Sequence, residues 1–202
     1  MRTLSITMLF ALAVNACSAD PAIDEQQVLR ASYALETAGN CRQALAALHP
    51  LLIAQPDDHL LRMRQGWLLY QLADHANAIA AYESAASKSP NAVEPRLGQL
   101  SAWVALGKWA ETERTARLVL KLEPGNSTAT RWLAESLLGQ GRIRDALEVA
   151  ERLAERYPTW AIAAELQARS RAAADDKPGA KDAYRRLNRL DPGNAAAAAG
   201  LR

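Results

Sequence analysis

The stretches KLEPGN, at residues 121–126, and RLDPGN, at residues 189–194, are nearly the same six residues written twice. Their prolines, Pro124 and Pro192, lie 68 residues apart, and the midpoint between them is a third proline, Pro158. The recurrence therefore has a period of 34 residues.

The same period continues toward the N-terminus, where it meets Pro90 and then Pro56, so five of the nine prolines share one register. A fixed spacing of about 20 to 50 residues indicates an array of structural repeats. Counting back from each proline predicts five units, at residues 25–58, 59–92, 93–126, 127–160 and 161–194.

The composition is that of an all-helical protein. Half of the 202 residues are apolar, and only one is Phe. Ala and Leu, which favour helices, are abundant, whereas the β-branched residues Val and Ile are sparse. The formal net charge of +2 gives no electrostatic reason to expect a nucleic acid as partner.

Each unit contains two helix-length segments with a break between them. The break carries one residue at the same offset in every unit: Gly39, Ala73, Gly107, Gly141 and Asp175. Small residues recur midway along the first segment, at Ser32, Gly66, Ala134 and Ala168. A second small series follows each break by five residues: Ala44, Ala78, Thr112, Ala146 and Ala180. Small side chains at both places let two helices approach closely.

This pattern of helix, turn and helix resembles the tetratricopeptide repeat. The resemblance covers residues 25–194 and implies an all-α fold, a right-handed α-solenoid of five units. Three residues depart from the family pattern. Leu100 replaces the small residue of the third unit, Thr112 replaces Ala there, and Arg171 occupies a usually apolar position. We expect looser packing in the third unit and an exposed face in the fifth.

The C-terminal stretch, residues 195–202, is predicted to be a truncated capping helix or a tail. A solenoid normally ends in a polar capping helix. We therefore expect Tyr184 and Leu187 to be exposed where a sixth unit would stack, which would lead either to fraying or to self-association through this end.

The N-terminal residues 1–19 are predicted to be a signal peptide, because one basic residue precedes an apolar stretch and then small residues. VNAC, ending at Cys17, resembles the lipobox of bacterial lipoproteins, although Asn15 is unusual there. Cleavage after CSA, before Asp20, would instead give a simply secreted protein. The other cysteine, Cys41, is expected to be a small buried residue near a helix start, or the disulfide partner of an unmodified Cys17.

No catalytic or metal-binding constellation is predicted, and no cofactor. The three histidines have no spacing that would gather them on one helical face. Asp57, Asp58 and His59 stand together, but carboxylates at a helix start cap free amides better than they indicate a metal site. The KPGAK stretch, at residues 177–181, is predicted to begin a helix, with Pro near its first turn.

The resemblance also implies where a partner would bind. In the family, the second, fifth, sixth, ninth, twelfth and thirteenth positions of each unit commonly point into a concave groove. These offsets select Arg30, Tyr33, Met63, Arg64, Trp67, Tyr70, Leu97, Ser101, Arg131, Trp132 and Glu135. Aromatic side chains together with three arginines would suit a peptide of some acidic character. A register error of one position would instead bury Trp67 between units.

The predicted function is a non-enzymatic protein–protein interaction scaffold in the bacterial cell envelope. Lipid on Cys17 would anchor the protein to the outer membrane from the periplasmic side, where it would help to assemble a pilus, secretion or exopolysaccharide machine. The alternatives are a soluble periplasmic subunit that self-associates and an accessory factor in cytochrome c maturation.

Overall fold

A computed structural model describes residues 24–202, and the predicted signal peptide with Cys17 lies outside this range. The helices of the described part are α1 (Glu25–Thr37), α2 (Cys41–Ala54), α3 (His59–Gln71), α4 (His75–Lys88), α5 (Glu94–Ala105), α6 (Trp109–Leu122), α7 (Ser127–Gly139), α8 (Ile143–Arg156), α9 (Ala161–Ala173), α10 (Lys177–Leu190) and α11 (Ala195–Gly200). Residues 24–202 contain no strand. None of these helices is long and apolar enough to cross a membrane.

The helices follow the 34-residue period, with one antiparallel pair in each unit. Every intra-unit turn places one residue in the left-handed backbone region, and it is the residue found at the break in the sequence. The φ angles are +80° at Gly39, +59° at Ala73, +65° at Gly107, +73° at Gly141 and +59° at Asp175. A left-handed residue ends each first helix and turns the chain back on itself.

Polar residues that follow three of the five repeat prolines cap the next helix. Asp58 accepts a hydrogen bond from the Leu61 amide at 2.8 Å, and Asn126 accepts one from the Ala129 amide at 2.9 Å. The capping prediction for Asp58 is therefore confirmed.

The described residues contain no group of three or more His, Cys, Asp or Glu side chains that could hold a metal ion.

Helix contacts place the first helices of the units on one side of the solenoid. Each helix packs on the next along the chain, and in addition α3 contacts α5, α5 contacts α7, and α7 contacts α9. The backbones of α1 and α3 approach each other less closely than these three pairs. The odd-numbered helices therefore line the concave surface, and α1 and α3 are spaced more widely at its N-terminal end.

Two glycines set the joint between the second and third units. A Cβ atom at Gly66 would lie 2.8 Å from the Tyr82 ring, and one at Gly98 would lie 2.5 Å from the same ring. Tyr82, on α4, is 3% exposed and therefore packs directly against the backbones of α3 and α5. This confirms the expectation that Gly66 permits close approach within its unit.

The two residues that depart from the family pattern in the third unit both lie in its core. Leu100 and Thr112 are both fully buried. The Thr112 hydroxyl donates a hydrogen bond to the Lys108 carbonyl at 2.9 Å, so the polar group is satisfied within its own helix. The backbones of α5 and α6 nevertheless approach each other at fewer positions than the two helices of any other unit, so the expectation of looser packing in this unit is confirmed.

The fifth unit differs from expectation. Arg171 lies half-buried and forms an ion pair with Glu151 of α8 at 2.8 Å, so it joins the fifth unit to the fourth. The unusual arginine has a structural partner in the preceding unit and does not mark an exposed face.

The C-terminal end is covered by the chain itself. Leu187 is fully buried and packs with Ala164 and Ala197, while Tyr184 and Leu190 lie half-buried against this group. The expectation that Tyr184 and Leu187 would be exposed was wrong, because α11 occupies the place of a sixth first helix. Asn194 caps α11 through hydrogen bonds from the amides of Ala196 and Ala197.

Candidate partner-binding groove

One position of the repeat forms a row along the concave surface. The ninth residue of each unit contributes to it, and the row reads Tyr33, Trp67, Ser101, Glu135 and Arg169 from the first unit to the fifth. Its N-terminal members are aromatic and its C-terminal members are charged. The same backbone geometry therefore presents two different surfaces.

A pocket of about 390 Å³ lies between α1 and α3 at the N-terminal end of this row. Its walls are mainly apolar, and they are formed by Glu25, Leu29, Tyr33, Asp58, Leu60, Leu61, Met63, Arg64 and Trp67. Tyr33 is 54% exposed, Leu60 73% and Trp67 41%, which is unusual for side chains of this size. Clustering of such side chains marks interaction surfaces.

A partly buried network of hydrogen bonds supports the back of the pocket. The Glu36 carboxylate accepts hydrogen bonds from the Arg64 guanidinium and from the Trp67 indole N–H. Arg64 also donates to the Ser32 hydroxyl at 3.2 Å, and its guanidinium carbon lies 3.8 Å from the centre of the Tyr33 ring. Glu36 and Arg64 thus link the two exposed aromatic side chains and fix their separation.

The network also sets the protonation of Glu36. Partial burial by itself raises the pKa of this carboxyl, but hydrogen bonds from Trp67 and Arg64 and the Arg64 charge outweigh burial, so the pKa lies below its usual value of 4.5. Glu36 is therefore ionised at neutral pH and neutralises Arg64.

Arg64 lies in the groove wall, but not as a free cation. Its side chain is only 8% exposed. The sequence interpretation had treated it as a groove residue that is available to a partner. Because Glu36 takes up its charge, Arg64 cannot serve an acidic partner without breaking a buried ion pair. The offset rule selected Arg64 by its position and did not pair it with Glu36, which stands at position twelve of the preceding unit.

The remaining N-terminal candidates fall into two groups. Met63 lines the pocket, whereas Tyr70 lies beside it, with its ring stacked on Trp67 at a centroid distance of 6.2 Å. Arg30 is exposed on α1 and donates to Gln26 at 3.2 Å, outside the pocket wall. Trp67 is partly exposed, so the alternative of a Trp67 side chain buried between units is not what the structure has.

The candidates of the central and C-terminal units are largely engaged with other parts of the protein. Leu97 and Ser101 are half-buried, and Leu97 packs against the core. The Arg131 guanidinium carbon lies 4.1 Å from the centre of the Trp132 ring. Glu135 accepts a hydrogen bond from Arg169 at 3.0 Å. These side chains join neighbouring helices, and they leave no pocket comparable to the one at Trp67 along this row of the described groove.

Leu29, Leu60 and Glu36 were missing from the predicted site. All three occupy offsets that had been used to select the other residues, at positions five, two and twelve of their units. Strict application of the offset rule would have found them.

The sequence itself matches one family in two places. Two family profiles, each described as a tetratricopeptide repeat, match residues 29–93 and residues 103–170. Together they cover more than half of the chain, and they contain the intra-unit turns of the first four units. The chain belongs to the tetratricopeptide repeat family.

Solved structures of TPR proteins resemble it at low sequence identity. MamA (41-end) from Desulfovibrio magneticus RS-1 has 14% identity and a TM-score of 0.77, over 84% of this chain and 96% of that one. YrrB, described as a TPR protein with an unusual peptide-binding site, has 14% identity and a TM-score of 0.71, over 85% and 89%.

A thermophilic TPR protein from Thermus thermophilus has 14% identity and a TM-score of 0.66, over 87% of this chain and 98% of its own. At such identity these likenesses establish the TPR fold alone. No curated protein shows significant sequence similarity to the chain. TPR folds serve as protein-interaction scaffolds, and the concave pocket lies where the TPR offsets place a partner.

Proposed function

We propose that the protein is a non-enzymatic scaffold of the bacterial cell envelope that binds a partner protein or peptide in its concave groove. The observation that carries the proposal is the pocket between α1 and α3, where Tyr33, Leu60 and Trp67 are exposed together. A pre-formed apolar pocket with fixed aromatic walls binds at a low ordering cost. The peptide-binding site named for YrrB supports a peptide partner by analogy.

The partner would be a component of an envelope machine such as a pilus, a secretion channel or an exopolysaccharide system. The support for this location is the N-terminal sequence, with its apolar stretch and the VNAC motif ending at Cys17. Lipid on Cys17 would hold the groove near the outer membrane on the periplasmic side.

Intact mass of the protein extracted from envelopes tests the anchor. We expect a mature species that begins at Cys17 and carries acyl mass, and we expect Cys17→Ser to release the protein from membranes. A soluble species that begins at Asp20 without acyl mass would remove the anchor and leave the groove proposal standing.

Site-specific photo-crosslinking in cells tests the groove. A photoreactive amino acid at Leu60 should crosslink an envelope protein, and the same residue at Ile53 should not. Ile53 is a suitable control because it is 67% exposed but lies on α2, the second helix of its unit. The crosslink from Leu60 should also weaken when Trp67→Ala is introduced.

Equal crosslinking from Leu60 and Ile53, or crosslinking that Trp67→Ala does not change, would overturn the groove assignment. The self-associating alternative depended on an open C-terminal end, which α11 covers in the structure. No observation in the described residues favours a cytochrome maturation role.

A further inference from the structure

We propose that the pocket between α1 and α3 binds a segment that combines an apolar anchor with flanking lysine or arginine. This inference rests on the proposed function and defines the chemistry of the partner. It reverses the expectation of an acidic partner. That expectation rested on three arginines along the groove, whereas the pocket wall contains one arginine and two carboxylates.

The cation of the pocket is already neutralised. Arg64 is the only basic residue in the described pocket wall, and Glu36 pairs with it behind the aromatic side chains. An incoming carboxylate would have to compete with Glu36 for a guanidinium that is 8% exposed. Such competition would leave a buried charge unpaired, which is costly.

The anions of the pocket are not neutralised in this way. Glu25 and Asp58 both line it, and neither has an ion-pair partner within residues 24–202. Their contacts there are with neutral groups: the Gln55 side-chain amide donates to Glu25 at 3.3 Å, and the Leu61 amide donates to Asp58 at 2.8 Å.

The helix ends nearby do not cancel this charge. Glu25 begins α1 and Asp58 caps α3, so both carboxylates lie at helix N-termini. Each N-terminus contributes roughly half a positive charge. Two carboxylates against two half charges leave a net negative charge from the groups that line this end of the pocket. A cationic side chain would gain from that field, and an anionic one would be repelled.

The apolar part of the pocket defines the anchor. At about 390 Å³ the space accepts one or two large side chains, between the Tyr33 and Trp67 rings and above Leu60. Met63 supplies a flexible thioether wall that can adapt to aliphatic or aromatic groups. The anchor therefore provides binding, and the basic flank provides selection.

Four synthetic nine-residue peptides test this chemistry. Three share a Leu-Phe-Leu centre and differ in having Lys, Ser or Glu on both sides, and the fourth has Lys flanks around a Ser-Gly-Ser centre. Binding to the purified full-length chain is followed by NMR at low ionic strength, through the Trp67 indole N–H, which is assigned with Trp67→Phe.

We expect the Lys-flanked apolar peptide to bind at least about five-fold more tightly than the Ser-flanked one, and the Glu-flanked peptide to bind more weakly than both. The preference should shrink as salt is added. The peptide without an apolar centre should not shift the Trp67 signal.

A double variant, Glu25→Gln with Asp58→Asn, should reduce the preference for the Lys-flanked over the Ser-flanked peptide to below about two-fold. Asn retains the helix cap, so the fold is preserved. The matched control is Glu83→Gln with Asp74→Asn, which removes the same charge and also keeps a cap, that of α4. The control should retain the full preference.

Equal affinity for Lys and Glu flanks, or a preference that survives in the double variant, would overturn the proposal while the groove still binds apolar peptides. Absence of any shift of the Trp67 signal would also overturn the proposal. The same holds if the peptides fail to bind because a second copy of the chain or residues 1–23 fill the pocket. The groove function itself is judged separately, by crosslinking from Leu60.

Discussion

The two ends of the concave row use the same backbone position for opposite purposes. Trp67 in the second unit is partly exposed and forms a pocket wall with Tyr33. Glu135 in the fourth unit instead forms an ion pair with Arg169 of the fifth unit. Repeats that match in backbone can therefore differ completely in what they offer to a partner. A repeat match places a residue on the groove, and only its neighbours decide whether it is available.

Both ends also contain an ion pair between successive units, and the two pairs differ in how deeply the arginine is buried. At the N-terminal end Arg64 and Glu36 are 8% and 21% exposed. At the C-terminal end Arg169 and Glu135 are 39% and 19% exposed. Since water screens exposed charges, the first pair should be much more sensitive to loss of one partner.

The same substitution in the two pairs should give the largest contrast. We expect Glu36→Gln to lower the free energy of unfolding by about 2–4 kcal/mol, because it leaves the buried Arg64 charge without its carboxylate. Glu135→Gln should cost at most about 1 kcal/mol, because Arg169 can turn to water. Urea denaturation followed by circular dichroism measures both.

Two further variants show whether the buried charge is the cause. Trp67→Phe removes the indole hydrogen bond to Glu36 together with part of a partly exposed ring, but keeps the Arg64–Glu36 pair, so it should cost less than Glu36→Gln. Arg64→Glu should be more destabilising than either, since that change places a second carboxylate against Glu36. Equal losses for Glu36→Gln and Glu135→Gln would contradict the distinction between the ends.

Acid should weaken the N-terminal network. The pKa of Glu36 is lowered in the folded protein because the Trp67 and Arg64 interactions outweigh partial burial, so this group contributes stability that is complete above 4.5 and is lost as the pH falls through the lowered value. We expect the parent protein to lose more stability between pH 7 and pH 3 than Glu36→Gln does.

A second acid-sensitive carboxyl, Glu113, lies outside the groove and has to be separated from Glu36. Burial raises its pKa, but hydrogen bonds from Gln140, Arg117 and Arg142 outweigh burial and lower the pKa below 4.5. The variant Glu113→Gln should therefore also reduce acid sensitivity, and the double variant should be flatter still. An unchanged pH profile in Glu36→Gln would remove Glu36 from this account.

The closed C-terminal end depends on a short helix and its cap. Asn194→Ala removes the side-chain acceptor for two free amides of α11, and we expect a loss of about 1 kcal/mol. Amide exchange should rise first around Leu187, which α11 covers. Asn194→Asp, which keeps an acceptor, should restore most of the protection. Unchanged exchange in Asn194→Ala would mean that α11 does not protect this end.

Sequence reasoning located the units and turns well, because 34-residue spacing, glycine and proline express backbone requirements that every repeat shares. It failed where neighbouring units interact through side chains. Arg64 is buried because it pairs with Glu36 of the preceding unit, and Arg171 pairs with Glu151 in the same way. Leu187 is covered by α11, a helix of only six residues. None of these pairings repeats along the chain, so the period could not reveal them.

The turns allow the smallest and most local test, with one site in each half of the molecule. Ala73 and Asp175 hold the left-handed position that glycine holds in the other three units. A side chain there costs about 1–2 kcal/mol, whereas glycine adds conformational entropy to the unfolded chain, so we expect Ala73→Gly to stabilise by about 0.5–1 kcal/mol. Asp tolerates this region better than Ala, so Asp175→Gly should gain less.

The reverse change at Gly107 provides the control, since its φ is also left-handed and no atom lies within 4 Å of the place that a Cβ would take. Gly107→Ala should therefore destabilise by about 1 kcal/mol through backbone strain alone. Thermal and urea unfolding of the three variants measure the series. Destabilisation by Ala73→Gly would contradict this account. It would mean that the left-handed conformation of Ala73 carries no strain, and that the turn of the second unit is not equivalent to the turns that contain glycine.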